Sequence, residues 1–122
     1  MQKEVSRWRN LAEDDLEKAR ILFNNEKYDG AIFFCQQTVE KALKALWILE
    51  KKTEVPRYHD LLFFFQKLEL PAKFKTTCED LTGGYIATRY PTNLPFSFTK
   101  KETEILLLQS EEILLWVKKK LL

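Results

Sequence analysis

Between Glu4 and Asn25 the apolar side chains return every three or four positions, at Val5, Trp8, Ala12, Leu16, Ala19 and Phe23. That is the period of an α-helix with one face turned inward, and Glu, Lys and Arg fill the positions between. The same period resumes at about Asp29, read as an N-cap, and runs to about Lys52. Ala31, Phe34, Cys35, Thr38, Ala42, Ala45, Leu46 and Leu49 form its stripe, and Ile32, Phe33, Leu43 and Trp47 widen it. A helix apolar on most sides is expected at the centre of its bundle.

Three more helices follow. A short one spans Asp60 to Leu68, and the next carries Pro71 in its first turn and runs to about Arg89. Gly83-Gly84 either bends that fourth helix or splits it. Pro91-Thr92-Asn93-Leu94-Pro95 is expected to be a loop, because neither proline continues a helix. Thr99-Lys100-Lys101-Glu102 matches a capping box that opens a fifth helix reaching the C-terminus. With 3 Gly and 4 Pro in 122 residues, the chain lacks the turns an all-β fold needs. The expected fold is all-α: an antiparallel up-and-down bundle of four to five helices, as one domain over residues 1–122.

The balance of 20 basic against 18 acidic residues gives a net charge of +2, which argues against holding nucleic acid by bulk charge. Cys35 and Cys78 stand far apart outside any CxxC, as expected of two buried thiols in a reducing compartment. Met1 to Asn10 is charged and carries no apolar signal region, and no apolar run approaches the ~20 residues of a membrane span. A cytoplasmic protein is the expectation.

Two segments are candidates for chemistry. In the second helix Gln37, Lys41 and Lys44 fall on one polar stripe, and Gln36 and Glu40 form a second pair four apart. The bland reading is a solvated face with helix-supporting ion pairs; the functional reading turns both lysines toward a phosphate. At the end of the fourth helix Tyr85 and Arg89 share a face, Arg89 offering a fork for phosphate and Tyr90 a ring for a base. Arg89 equally suits a cap on the last carbonyls. His59, the one histidine, is either a general base or a hydrogen bonder at the core edge, and without a Cys or His partner it does not suggest zinc. No P-loop, GxGxxG or Ser-centred elbow occurs. The fifth helix has more apolar positions than one face holds, a surplus that suits a partner surface.

Taken in order, these pieces resemble the HEPN family (higher eukaryotes and prokaryotes nucleotide-binding domains). Trp8, Ala12, Asp15-Leu16 and Ala19 are similar to its first helix. Tyr28, Ala31, Cys35-Gln36-Gln37 and the run Glu40 to Leu46 are similar to its second. His59-Asp60-Leu61 resembles the start of its third helix, and Tyr85 with Arg89-Tyr90-Pro91 the end of its fourth. The resemblance implies a homodimeric bundle that binds nucleotide or RNA and accompanies a minimal nucleotidyltransferase in a toxin–antitoxin-like pair. It also implies similarity to the C-terminal part of aminoglycoside nucleotidyltransferases, with no cofactor, metal or membrane. On that basis Gln37, Lys41, Lys44, His59, Tyr85, Arg89 and Tyr90 are the candidate nucleotide-binding residues.

Some members of the family are metal-independent ribonucleases that carry an Arg followed after four to six residues by His. Here the corresponding positions hold Leu94, Pro95 and Phe96 after Arg89, and Leu62, Phe63 and Phe64 after Arg57. The chain therefore resembles the noncatalytic, nucleotide-binding branch. A ribonuclease using Arg89 and His59 is the alternative expectation, and a purely structural partner subunit is the third.

Overall fold

The computed structural model describes residues 2–89 and 98–122, with the side chains of 86–89 excepted. Among the described residues five α-helices form the bundle: α1 Gln2–Asn24, α2 Tyr28–Lys51, α3 Leu61–Lys67, α4 Lys75–Arg89 and α5 Lys100–Leu121. A 3₁₀ turn, Ala72–Phe74, leads into α4. Among the described residues there is no strand, and the all-α expectation holds. The expected Pro91–Pro95 loop and Tyr90 lie outside the described residues.

The second helix packs against each of the other four. Ile32, Cys35, Val39, Ala42, Leu43 and Leu46 are fully buried along it, which accounts for a pattern too wide for a surface helix. Phe64, Leu61, Leu81, Ile113 and Val117 close on the same core from α3, α4 and α5. Side chains of this kind contribute about 1.5–3 kcal/mol each on full burial. Leu49, expected inside, is 40% exposed at the end of α2.

The helix ends show where sequence signals sufficed. Thr99 accepts a hydrogen bond from the Glu102 N–H at 3.1 Å, and Asp60 accepts from the Leu62 N–H at 2.9 Å. Asp29 is not the N-cap of α2. Lys27 holds that position without a side-chain bond, and the Asp29 carboxylate accepts from the adjacent Gly30 N–H inside the first turn. Helices α1, α2 and α3 each close on a non-glycine residue in the left-handed region: Glu26, Lys52 and Glu69. After α1 the Lys27 N–H reaches Leu22 O at 2.8 Å and the Glu26 N–H reaches Phe23 O at 3.0 Å, a Schellman closure made without glycine.

Cys35 and Cys78 are free thiols, and burial pushes both up to about 12. No helix among the described residues is long and apolar enough to cross a membrane.

Gly83-Gly84 does not split α4, which is continuous across it. Gly84 instead lets α4 approach α2: a Cβ there would lie 2.7 Å from Ile32 Cγ2, whereas one at Gly83 would meet nothing within 4 Å. Gly83→Ala should therefore stabilise the fold by about 0.5–1 kcal/mol through helix propensity. Gly84→Ala should destabilise it by about 1–3 kcal/mol through overpacking, both read from urea denaturation midpoints.

Candidate functional site

Gln36, Glu40 and Lys44 stand four apart on α2, so one face of the helix carries all three. They are not a solvated face. Gln36 is 0% exposed, Glu40 3% and Lys44 7%, and the irregular segment between α2 and α3 runs past them. That segment bonds to the face as it passes: His59 O accepts from Gln36 Nε2 at 3.2 Å, and His59 Nδ1 lies 3.0 Å from Glu40 Oε1.

Glu40 is the hub. Gln36 Nε2 donates to its Oε1 at 2.9 Å, and Lys44 Nζ donates to its Oε2 at 3.0 Å. Gln37 Nε2 donates to Gln36 Oε1 at 2.7 Å and extends the chain one residue outward. With Nδ1 engaged by Glu40, the other ring nitrogen of His59, Nε2, makes no hydrogen bond among the described residues. The His59 side chain is 58% exposed. Its ring stacks on that of Tyr85, with centroids 5.6 Å apart, and Tyr85 in turn stacks on Phe33 at 5.7 Å. An exposed imidazole is thus fixed at one edge by a buried carboxylate and on one face by an aromatic ring.

The expected stripe of Gln37, Lys41 and Lys44 divides in two. Lys44 belongs to the Glu40 network and also lies 5.3 Å from the centroid of the Trp8 ring on α1. Lys41 turns to α1, where its Nζ meets Asp15 Oδ2 at 2.5 Å; the Asp15 side chain is 3% exposed. Both ammonium groups expected to face phosphate are therefore paired with buried carboxylates. The bland reading of this stretch fails for a different reason, since its ion pairs are internal. Tyr85 is 8% exposed and reaches the site through His59. Arg89 ends α4, and its side chain lies outside the described residues, as does Tyr90.

Gln36 and Glu40 were visible as a pair four apart, but not as the residues that organise the site. The available signal was the four-residue spacing through to Lys44 on an otherwise apolar helix. What hides it is that burial here depends on a covering segment distant along the chain, and helical period does not report that. Among the described residues no group of three His, Cys, Asp or Glu side chains could hold a metal ion.

Removing one member of a buried pair leaves the other charge uncompensated. Lys44→Met should cost about 3–5 kcal/mol of stability. The double variant Lys44→Met/Glu40→Gln should recover most of that loss, because no net charge then remains buried. Chemical denaturation of the two variants measures both effects.

Comparison with known proteins agrees with this architecture. The family described as "HEPN domain" matches residues 5–120. A protein of Methanocaldococcus jannaschii named "Putative toxin MJ1304" is 29% identical over 119 residues, covering 84% of this chain and 78% of the relative. The crystal structure of TT1696 from Thermus thermophilus superposes with a TM-score of 0.85 at 27% identity, over 98% of this chain and 99% of that one. That of ST0689, an archaeal HEPN homologue, gives 0.81 at 28% identity, over 97% and 98%. With residues 5–120 matched and the same bundle in both crystal structures, this chain belongs to the HEPN domain family.

Proposed function

We propose that this chain is a HEPN binding module that holds a nucleotide, or a nucleotide within RNA, where His59 and Tyr85 meet. The observation that carries this reading is the exposed imidazole of His59, held by the buried Glu40 carboxylate and stacked on Tyr85. A ring fixed on two sides loses little freedom when a ligand docks on it, which favours binding. His59 or Tyr90 takes the base or sugar, and Arg89 takes the phosphate. Lys41 and Lys44 act indirectly, by fixing α1 against α2 and by holding Glu40. In the same proposal the module works as a homodimer and as the companion of a minimal nucleotidyltransferase in a toxin–antitoxin-like pair. The exposed Ile105, Leu108 and Leu115 on α5 offer apolar surface for such contacts, and the toxin in the name of the M. jannaschii relative is compatible with the pairing.

Calorimetry with ATP, GTP and a short single-stranded RNA tests the binding site. His59→Ala and Arg89→Ala should each weaken binding by about tenfold or more, the loss of one contact to a charged group. Lys41→Ala should lower stability and leave the affinity of the folded fraction within a few-fold. Absence of binding by the unaltered protein overturns the reading.

One observation favours a second reading. A buried carboxylate behind an exposed imidazole is also how a general acid–base histidine is oriented and its charged form stabilised. If His59 trades protons with a ribose hydroxyl, purified protein cleaves RNA without metal, expression arrests growth, and both effects vanish in His59→Ala. Intact RNA after incubation with the unaltered protein excludes it.

A further inference from the structure

The Glu40 carboxylate is shared between an ammonium and an imidazole. Lys44 Nζ donates to Oε2 at 3.0 Å, and His59 Nδ1 lies 3.0 Å from Oε1. The Lys44 and Glu40 side chains are 9% and 4% exposed, whereas that of His59 is 58% exposed. The ion pair is therefore screened little by water, and the ring at its open end feels both charges.

Counting charge gives the consequence. A carboxylate alone beside an imidazole favours the cationic ring. Here the carboxylate and the ammonium already sum to zero, so a second ring proton leaves the cluster with a net positive charge. Without the ammonium, the same proton would bring the cluster to zero, the state that poorly solvated surroundings favour. The other groups around the ring form a constant background. Tyr85 of α4 stacks on one face. Asp60, next in the chain, accepts from the Leu62 N–H. Tyr58 packs on Phe63, and Arg57 lines the cleft beside Lys44. From α1, Trp8 faces the Lys44 ammonium.

We propose that Lys44 is a positioning residue of this site: acting through Glu40, it weakens the hold of the carboxylate on the cationic ring, so that Glu40 orients His59 without charging it. The proposal rests on reading His59 as a binding group, and it separates that reading from the acid–base one. An acid–base histidine relies on the carboxylate behind it to stabilise the imidazolium, and an ammonium on the second oxygen takes part of that stabilisation away. The buried cation thus regulates an exposed ring that it does not touch.

The chain has one histidine, so its ring resonances identify His59 directly. Proton NMR of the ring against pH gives its titration midpoint. Lys44→Met, made with Gly83→Ala to help preserve the fold, should raise the midpoint by about one pH unit relative to Gly83→Ala alone, a tenfold gain in proton affinity. Glu40→Gln should lower it by a similar amount, because the ammonium then faces the ring without a counter-charge. Lys44→Arg keeps the charge and should restore the midpoint. Lys41→Met breaks the other internal ion pair of α2 and should leave the midpoint in place, although it too lowers stability. A Lys44→Met midpoint no higher than that of Lys41→Met overturns the proposal. If Lys44→Met does not fold, Glu40→Gln decides, and an unmoved or raised midpoint there overturns it. No ligand enters the measurement, so its failure is distinct from a failure of the calorimetric test of binding.

Discussion

The Glu40 carboxylate sits almost wholly out of water on α2, which packs against each of the other four helices. A charge in that position is tolerable only if its oxygens are fully engaged. Gln36, His59 and Lys44 engage them, and each of those bonds has a structural consequence. The His59 bond, with that from Gln36 to His59 O, ties the segment before α3 down over α2. The Lys44 bond places an ammonium beside Trp8 of α1. The stacking of His59 on Tyr85 carries the arrangement to α4. Three elements are thus registered on α2 by the solvation needs of one group.

The second buried pair, Lys41 with Asp15, works in the same way between α1 and α2. Together the two pairs commit the Lys41 and Lys44 ammonium groups to carboxylates inside the bundle. At the edge of the network the His59 ring stays 58% exposed while Glu40 and Tyr85 hold it.

Close packing elsewhere depends on equally specific positions. Gly84 permits α4 to approach Ile32, and the core hydroxyls of Thr103 and Ser110 are satisfied by the carbonyls of Thr99 and Leu106 one turn back. Among the described residues no buried side-chain polar atom is left without a partner. At the left-handed residues Glu26, Lys52 and Glu69 the modest strain of a non-glycine αL residue is offset by the closure bonds.

The sequence by itself determined the class of fold, the five helices and the central place of α2, because helical period and apolar width are local properties of the chain. It also located the cap at Thr99, whose side chain acts on a residue three positions away, and the start of α3 at Asp60. It did not reveal that α1, α2 and α3 would close without glycine. Nor did it reveal that Gln36, Glu40 and Lys44 would lie inside, or that Lys41 and Lys44 would point to different carboxylates. Those outcomes depend on which distant segment covers a face: residues 54–60 over one side of α2, and Asp15 of α1 against another. Covering a charged face changes its dielectric surroundings and hence which partner each charge must find, and only the tertiary structure makes that choice.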